Sequence, residues 1–555
     1  MKKSKKKEEV QQNSKIELWL EQRSDVVFYG LLAVFVVFSL LYFNARLSIA
    51  GDDSSYITRA INFWDAGKFP TYQAPLYPIF LSLLVGIVGL NVLVLKFASL
   101  LLMVGFIVLF YRSLKGSVSY VGLFFTIAVL SVSHYFLFFS SQTFSEPLFM
   151  VFQAMLFLFF FRWIEANTAD SWKPDKRELK YILIVSVLSF LLFITRTIGF
   201  GALLALLVYF VISRNYKRAV YITVCFVVLM GMFLIVRSAV WDVSIKSGEQ
   251  TSQLLNKNPY QDSEGKEDVI GFLNRFKDNS NLYLSKHFMR FVGLRSGSVN
   301  TIYPMITILL YLLFAFSFFW FFKTNKFLFL IAVYLAIMLG ITFFSLQKLW
   351  DQYRLIVPFL PYMVILFASG LIYLGQMKSN AKLGKILPVI FVVMLAAVLG
   401  RGIKTIDIPV LAKNIKGDKY AGFTPDWQSY LSMAEYSKHE LSTESYVACR
   451  KPNMARIYGK GKKFYGIYRI PSQDADKLVE ELKKRGVTHV IMGSLRKNPY
   501  IYTGQTINTV QRYMSVIVKK YPKAFVLEKK YGNNEPAYLF RIEYANCNAK
   551  ENEIE

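Results

Sequence analysis

Two adjacent carboxylates, Asp52 and Asp53, open the stretch GDDSSYITRAINFWDAGKFPTYQAPLYP at 51–78. They stand just after the first long apolar run. Neighbouring acids oppose each other's ionisation, which can hold one carboxyl near working pH as a general base. Other charges occur singly at the ends of apolar runs. These are Lys96, His134, Glu146 in SSQTFSEPLF, Arg196 in FITRTIGF, Arg237, and Lys348, Asp351 and Arg354 in QKLWDQYRLIVPFLP. A long polar segment adds His287, Arg290 and Arg295. A charge at the centre of a membrane span costs about 2.5–3.5 kcal/mol on insertion scales, so such residues are functional candidates. Each alone also has an ordinary role. Lys96 and Arg237 can snorkel to headgroups. His134 can pack, Glu146 can favour its helix N-terminus, and Asp351 can pair with Arg354. Gathered at one level, acids on one side and cations on the other suit a substrate that carries phosphate and hydroxyls.

The elements that must hold these residues are membrane helices. Of 555 residues, 54% are hydrophobic, with 49 Phe and 34 Tyr. A single soluble core stops growing near roughly 250–300 residues, so this much apolar surface needs another solvent. Runs long enough to span recur at 26–45, 91–111, 119–140, 146–163, 180–197, 198–213, 218–238, 299–322, 326–346, 355–375 and 385–402, about eleven in all. The net charge of +28 is scattered through loops. It points to positive-inside topology and anionic lipid rather than to nucleic acid. With a cytoplasmic lysine-rich start (MKKSKKKEEV, an uncleaved anchor following it), every second loop is basic: RSLKGS, the RELK segment, RNYKR, KTNK and QMKSNAKLGK. An odd number of spans then puts the C-terminus outside.

This topology requires the run 75–89 not to span; at its length it reads as interfacial or re-entrant. Before it, Tyr56, Ala60, Phe63 and Trp64 share one face of an amphipathic helix suited to the membrane interface. Arg59 is expected to point to water. The expected organisation is a basic cytoplasmic segment 1–25, a transmembrane part 26–402 with a first extracytoplasmic loop 46–90 and a long one 239–298, and an extracytoplasmic α/β domain 403–555. In that domain SQDADKLVEELKKRG reads as a helix capped by Ser472 and stopped by Gly486. THVIMGS reads as a buried strand, and FVLEKKYGNNEPAYLFRIEY as a hairpin around Gly532–Glu535. Cys449 and Cys547 are both in reach of this domain and could pair; spacing does not decide it.

The motif D-D-x-x-Y, a helix, Gly67 and then QAPLYP resembles the first extracytoplasmic loop of GT-C glycosyltransferases. The bacterial branch with aminoarabinose transferases and protein O-mannosyltransferases is the most similar. SEPLF, TRTIGF and the R-x-x-x-P-x-x-P of 354–361 follow in the family's order, so the resemblance covers about 1–402. Each motif is short; their order carries the match. The family pattern has Asp-Glu where this chain has Asp52-Asp53. The tail pieces YVACRKP and GVTHVIMGS also resemble domains of bacterial relatives.

The resemblance implies a multi-pass enzyme of a bacterial inner membrane. It would move a sugar from a polyprenyl-phosphate donor to a hydroxyl of a lipid, glycan or protein on the extracytoplasmic face. By position Asp52 matches the catalytic aspartate and Asp53 the second acid. A lipid phosphate leaves without an acid's help, so one base suffices, with inversion at the anomeric carbon. Arg354, Lys96 and Arg196, in that order, are the candidates for the donor phosphate. Tyr56, Glu146, Tyr77 and His134 are expected to shape the acceptor side. No complete metal ligand set is visible, and a divalent cation is left open as a cofactor. The alternatives are a flippase for lipid-linked saccharides, another transporter without covalent chemistry, and a glycan polymerase or ligase. Absence of repeated halves weighs against a carrier.

Overall fold

In a computed structural model, the structure describes residues 15–166, 174–241, 243, 254–259, 262–296, 300–347, 350–377, 381–497 and 506–547. Among them, nine helices are long and apolar enough to cross a membrane: Ser24–Leu41, Val92–Leu114, Ser145–Glu165, Lys176–Thr195, Tyr216–Trp241, Pro304–Thr324, Lys326–Ser345, Tyr353–Gln376 and Leu383–Lys404. A helix closes its own backbone hydrogen bonds, which lipid requires. The run 119–140 is not one straight span. It breaks at Ser133, whose backbone is extended, into Tyr120–Val132 and His134–Ser141, bent by 63°. Counted as one span, this pair makes ten. The run 198–213 becomes the shorter apolar helix Thr197–Ile212. Hydropathy averages over such breaks, which is why the sequence reads eleven uniform spans. The bundle core is aromatic: Phe157 meets Tyr362 at 4.6 Å and Tyr334 at 5.0 Å between ring centroids. The buried Tyr334 hydroxyl accepts from Gln153 Nε2 at 2.7 Å.

The run 75–89 folds as Leu76–Val88, thirteen residues. At 1.5 Å per residue that is about 20 Å, short of a bilayer core of about 30 Å. It packs against the loop helix Asp52–Ala66. That helix is more enclosed than an interfacial helix would be. Ser54, Thr58 and Ile57 are buried along with Tyr56 and Ala60, whereas Trp64 is exposed. The cover on its second face comes from the C-terminal region.

That region holds a five-stranded mixed sheet in the order Phe464–Gly466, Val447–Cys449, His489–Gly493, Ala537–Ile542, Phe525–Tyr531. The first three strands pair in parallel and the last three antiparallel. The hairpin turns at Gly532, at φ +82°. Helix Ala475–Lys484 is capped by Asp474, whose side chain accepts from Asp476 N; Ser472 lies before it and accepts from Asp474 N instead. An Asx cap two residues nearer the helix displaces the expected serine. Cys449 and Cys547 are free thiols in separate cores, Cys449 with Trp427 and Tyr430, Cys547 with Val490 and Ile542. The first of these cores also contains Tyr56, Ile57, Tyr77 and Leu81. The sheet region and the first loop therefore share one apolar interior.

Candidate functional site

The loop helix begins at Asp52 after Gly51, which sits at φ +92°. That left-handed conformation suits glycine and sets the sharp entry. Two acids in the first turn complement the helix N-terminus. Successive helix residues point about 100° apart, so the two carboxylates diverge. Asp53 turns inward and has no exposure. Its oxygens accept from Ser48 N at 2.6 Å and Ser54 N at 2.7 Å. Burial pushes its carboxyl up to about 6, against the pull of those N–H groups and of Lys96. Asp52 turns outward, with 51% of its side chain exposed, and pairs with Arg354.

Lys96 is fully buried in helix Val92–Leu114. Its ammonium donates to Arg46 O at 2.6 Å, Ser141 O at 2.7 Å and Asn44 Oδ1 at 3.4 Å. Three donors thus meet three acceptors. They tie the chain entering the loop to the end of the bent helix pair. Glu146, also fully buried, accepts from Arg354 Nε at 2.7 Å and pairs with Arg196 at 2.5 Å. Arg354 lies over the Phe144 ring at 3.9 Å. An ion chain results: Arg196, Glu146, Arg354, Asp52. It joins TRTIGF, SEPLF, RLIVPFLP and the first loop.

The aromatic candidates stand beside it. Tyr56 OH lies 3.3 Å from Ser145 Oγ, and its ring meets Tyr77 edge-on at 5.0 Å. Arg59 does not reach into water. It donates to Gln73 Oε1 at 2.7 Å and covers the Tyr56 ring at 4.8 Å. His134 is off the ion chain, against Tyr135 at 3.8 Å; Tyr135 in turn meets Tyr353 at 5.0 Å. Asp351 does not pair with Arg354. It accepts from Lys286 and bonds His287 Nε2 at 2.7 Å, because Arg354 is held by Glu146 and Asp52. Lys348 lies outside the described residues.

Burial pushes the His287 imidazole down to about 4, although Asp351 favours its charged form. An unfolded histidine near 6.5 binds more protons than the folded one between these values, so stability rises with pH across that window. The contribution of His287 to the stability of purified protein is expected to grow from pH 4 to 6.5, by at most about 1.4 kcal/mol per pH unit, while the raised Asp53 carboxyl acts in the opposite sense up to about 6. His287→Gln should remove this contribution from the pH profile of the melting point; an unchanged profile would show that His287 is not the group responsible.

Two basic residues of the C-terminal region, which the sequence reading did not single out, reach the loop. Lys451 Nζ donates to Ile49 O at 3.0 Å and Ala50 O at 3.3 Å, just before Gly51. Burial lowers its affinity for a proton, and Asp52 and Asp53 oppose that. Arg456 donates to Asn62 Oδ1 at 2.7 Å. YVACRKP contains Lys451, but nothing local in it reveals a partner about four hundred residues away.

The residues around the loop do not fit a divalent cation. Among the described residues no three His, Cys, Asp or Glu side chains group for one, and Arg354 occupies the position between Asp52 and Glu146.

Solved structures with the same architecture are found at low sequence identity. ArnT from Cupriavidus metallidurans is 12% identical, with a TM-score of 0.51, over 96% of this chain and 100% of that one. This chain shares its fold with that protein. The Archaeoglobus fulgidus oligosaccharyltransferase matches at 11% identity and a TM-score of 0.51, over 96% of this chain and 76% of that one. The archaeal oligosaccharyltransferase AglB from Archaeoglobus fulgidus, in complex with an inhibitory peptide and a dolichol-phosphate, matches at 11% identity and a TM-score of 0.50, over 86% of this chain and 70% of that one. No protein-family model matches the sequence, and no curated protein does either.

Proposed function

We propose that this chain is a membrane glycosyltransferase that moves a sugar from a polyprenyl-phosphate donor to a hydroxyl acceptor on the extracytoplasmic face. The N-terminus lies in the cytoplasm of a bacterial inner membrane, the C-terminal region outside it. The observation that carries the reading is the pairing of exposed Asp52 with Arg354, which is itself anchored on buried Glu146. A carboxylate and a guanidinium side by side suit a reaction that removes a proton at one atom and gathers negative charge at another.

In this mechanism Asp52 takes the proton of the acceptor hydroxyl. The acceptor oxygen attacks the anomeric carbon as the bond from that carbon to the phosphate oxygen breaks. The bonding pair leaves on the lipid phosphate, configuration inverts, and Asp52 later gives its proton to water. Arg354 meets the developing phosphate charge, for which its fork geometry is suited. Arg196 supports it through Glu146, and Lys96 holds the loop. Asp53 pins the first turn rather than meeting substrate. Tyr56, Tyr77 and His134 border the acceptor side, and the acceptor is a lipid, glycan or protein.

The test is mass spectrometry of polyprenyl-phosphate sugars and glycoconjugates in cells with and without the wild-type chain. One glycoconjugate should gain a single sugar while its lipid donor is consumed. Transfer of many sugars at once would indicate whole-glycan ligation. Unchanged pools would overturn the reading in favour of a carrier.

Lys451 is a positioning residue in this scheme. A hydrogen bond from a charged donor contributes about 1.5–3 kcal/mol. If about half of that holds Asp52 in register, Lys451→Met lowers kcat about tenfold with KM nearly unchanged. Lys451→Arg should restore part of it. Equal kcat in wild type and Lys451→Met would remove the C-terminal region from the mechanism.

A further inference from the structure

Between the loop helix and the C-terminal region lies a cleft of about 440 Å³. Thr58 and Asn62, one helical turn apart on the same face, form one wall, and Arg456 faces them. The wall is incompletely satisfied. Thr58 and Arg456 are 9% and 7% exposed, yet Thr58 Oγ1 and Arg456 Nε have no hydrogen-bond partner among the described residues. Buried polar groups are normally paired, so these two ask for a ligand that accepts and donates. The rest of the lining adds two exposed lysines, Lys68 and Lys463, and no acid. Asp65 lies near enough to act on Arg456 but is not part of the lining. Tyr468 lies across Gly466 with 57% of its surface exposed, and Tyr465 is held by its hydroxyl on Glu481 at 2.8 Å.

We propose that this cleft binds an anionic saccharide, one bearing carboxylate or phosphate groups, as the acceptor. Three cations without a lining acid select negative charge. Flat aromatic faces beside hydroxyl and amide groups suit sugar rings. The described lining is mostly polar, which suits a saccharide better than an apolar peptide side chain. Thr58 stands six residues along the helix from Asp52, about 9 Å by helical rise. The two residues also stand about 120° apart around the helix, so a saccharide must cross from one face towards the other to bring its end to the base. The acceptor role rests on the transferase reading; binding in the cleft does not.

The experiment uses the full chain in lipid nanodiscs and measures binding of a labelled oligogalacturonate. A neutral malto-oligosaccharide of equal length and an acidic peptide serve as comparisons. The acidic saccharide should bind best and weaken with added salt. The exposed-site double variant Lys68→Gln/Lys463→Gln, which leaves the buried wall intact, should weaken it about tenfold. Equal binding of the neutral sugar or of the peptide overturns the proposal. So does binding that is undetectable or indifferent to the double variant. Transfer is measured separately. Lost binding with intact transfer sinks the cleft alone; intact binding without any transfer sinks the transferase reading alone.

Discussion

Replacing Asp52 with Asn is expected to lower glycosyl transfer at least about a hundredfold, since a positioned general base contributes roughly 10²–10⁴ in rate. Asparagine keeps the shape but cannot hold the acceptor proton. The fold should survive. Asp52 is half exposed, and Arg354 keeps its bond to buried Glu146. Exposed substitutions of this kind usually change stability by about 0.5 kcal/mol or less. Cells carrying Asp52→Asn at matched protein levels should accumulate the lipid-linked donor. Asp52→Glu restores the charge one methylene further out and should recover only part of the rate, as small misplacements cost heavily. The neighbouring change, Asp53→Asn, should differ in kind. It removes an anion that holds Ser48 N and Ser54 N, so it should appear first as lost folded protein. Near-normal transfer by purified Asp52→Asn would remove this residue from the role of base.

Glu146→Gln is expected to destabilise the protein by about 3–5 kcal/mol, the usual cost of breaking a buried ion pair from one side. Glu146 has no exposure and faces two guanidinium groups, Arg196 and Arg354. Neutralising it takes from Arg196 its carboxylate partner and leaves Arg354 with Asp52 alone. The double change Glu146→Gln/Arg354→Gln should cost less than the sum of the single ones, because residues of one network are not additive. Thermal inactivation of detergent-purified variants measures both effects. A melting point unmoved by Glu146→Gln would mean that the ion chain contributes nothing to the site's frame.

Membrane class, most span positions, the loop helix and the order of the four motifs were legible in the sequence, because hydropathy and helical spacing are local properties. The same local reading also set 75–89 apart from the longer apolar runs, and it folds as a helix of thirteen residues. It failed at Ser133, where an apolar run conceals a 63° bend, and at Ser472, where Asp474 makes the better cap. Two adjacent aspartates looked equivalent as letters. Only the helix they begin, and what packs against it, turns Asp53 inward and leaves Asp52 exposed. Arg354 meets Asp52 across 302 residues and Glu146 across 208. No spacing rule reaches that far. Lys96 looked like a phosphate ligand from its charge, whereas tertiary packing surrounds its ammonium with three oxygen acceptors. The sequence by itself determined which residues could do chemistry and at which helix ends they stand. The tertiary structure alone decided their partners, because in a buried, low-dielectric site a charge's role is set by the groups within a few ångströms of it.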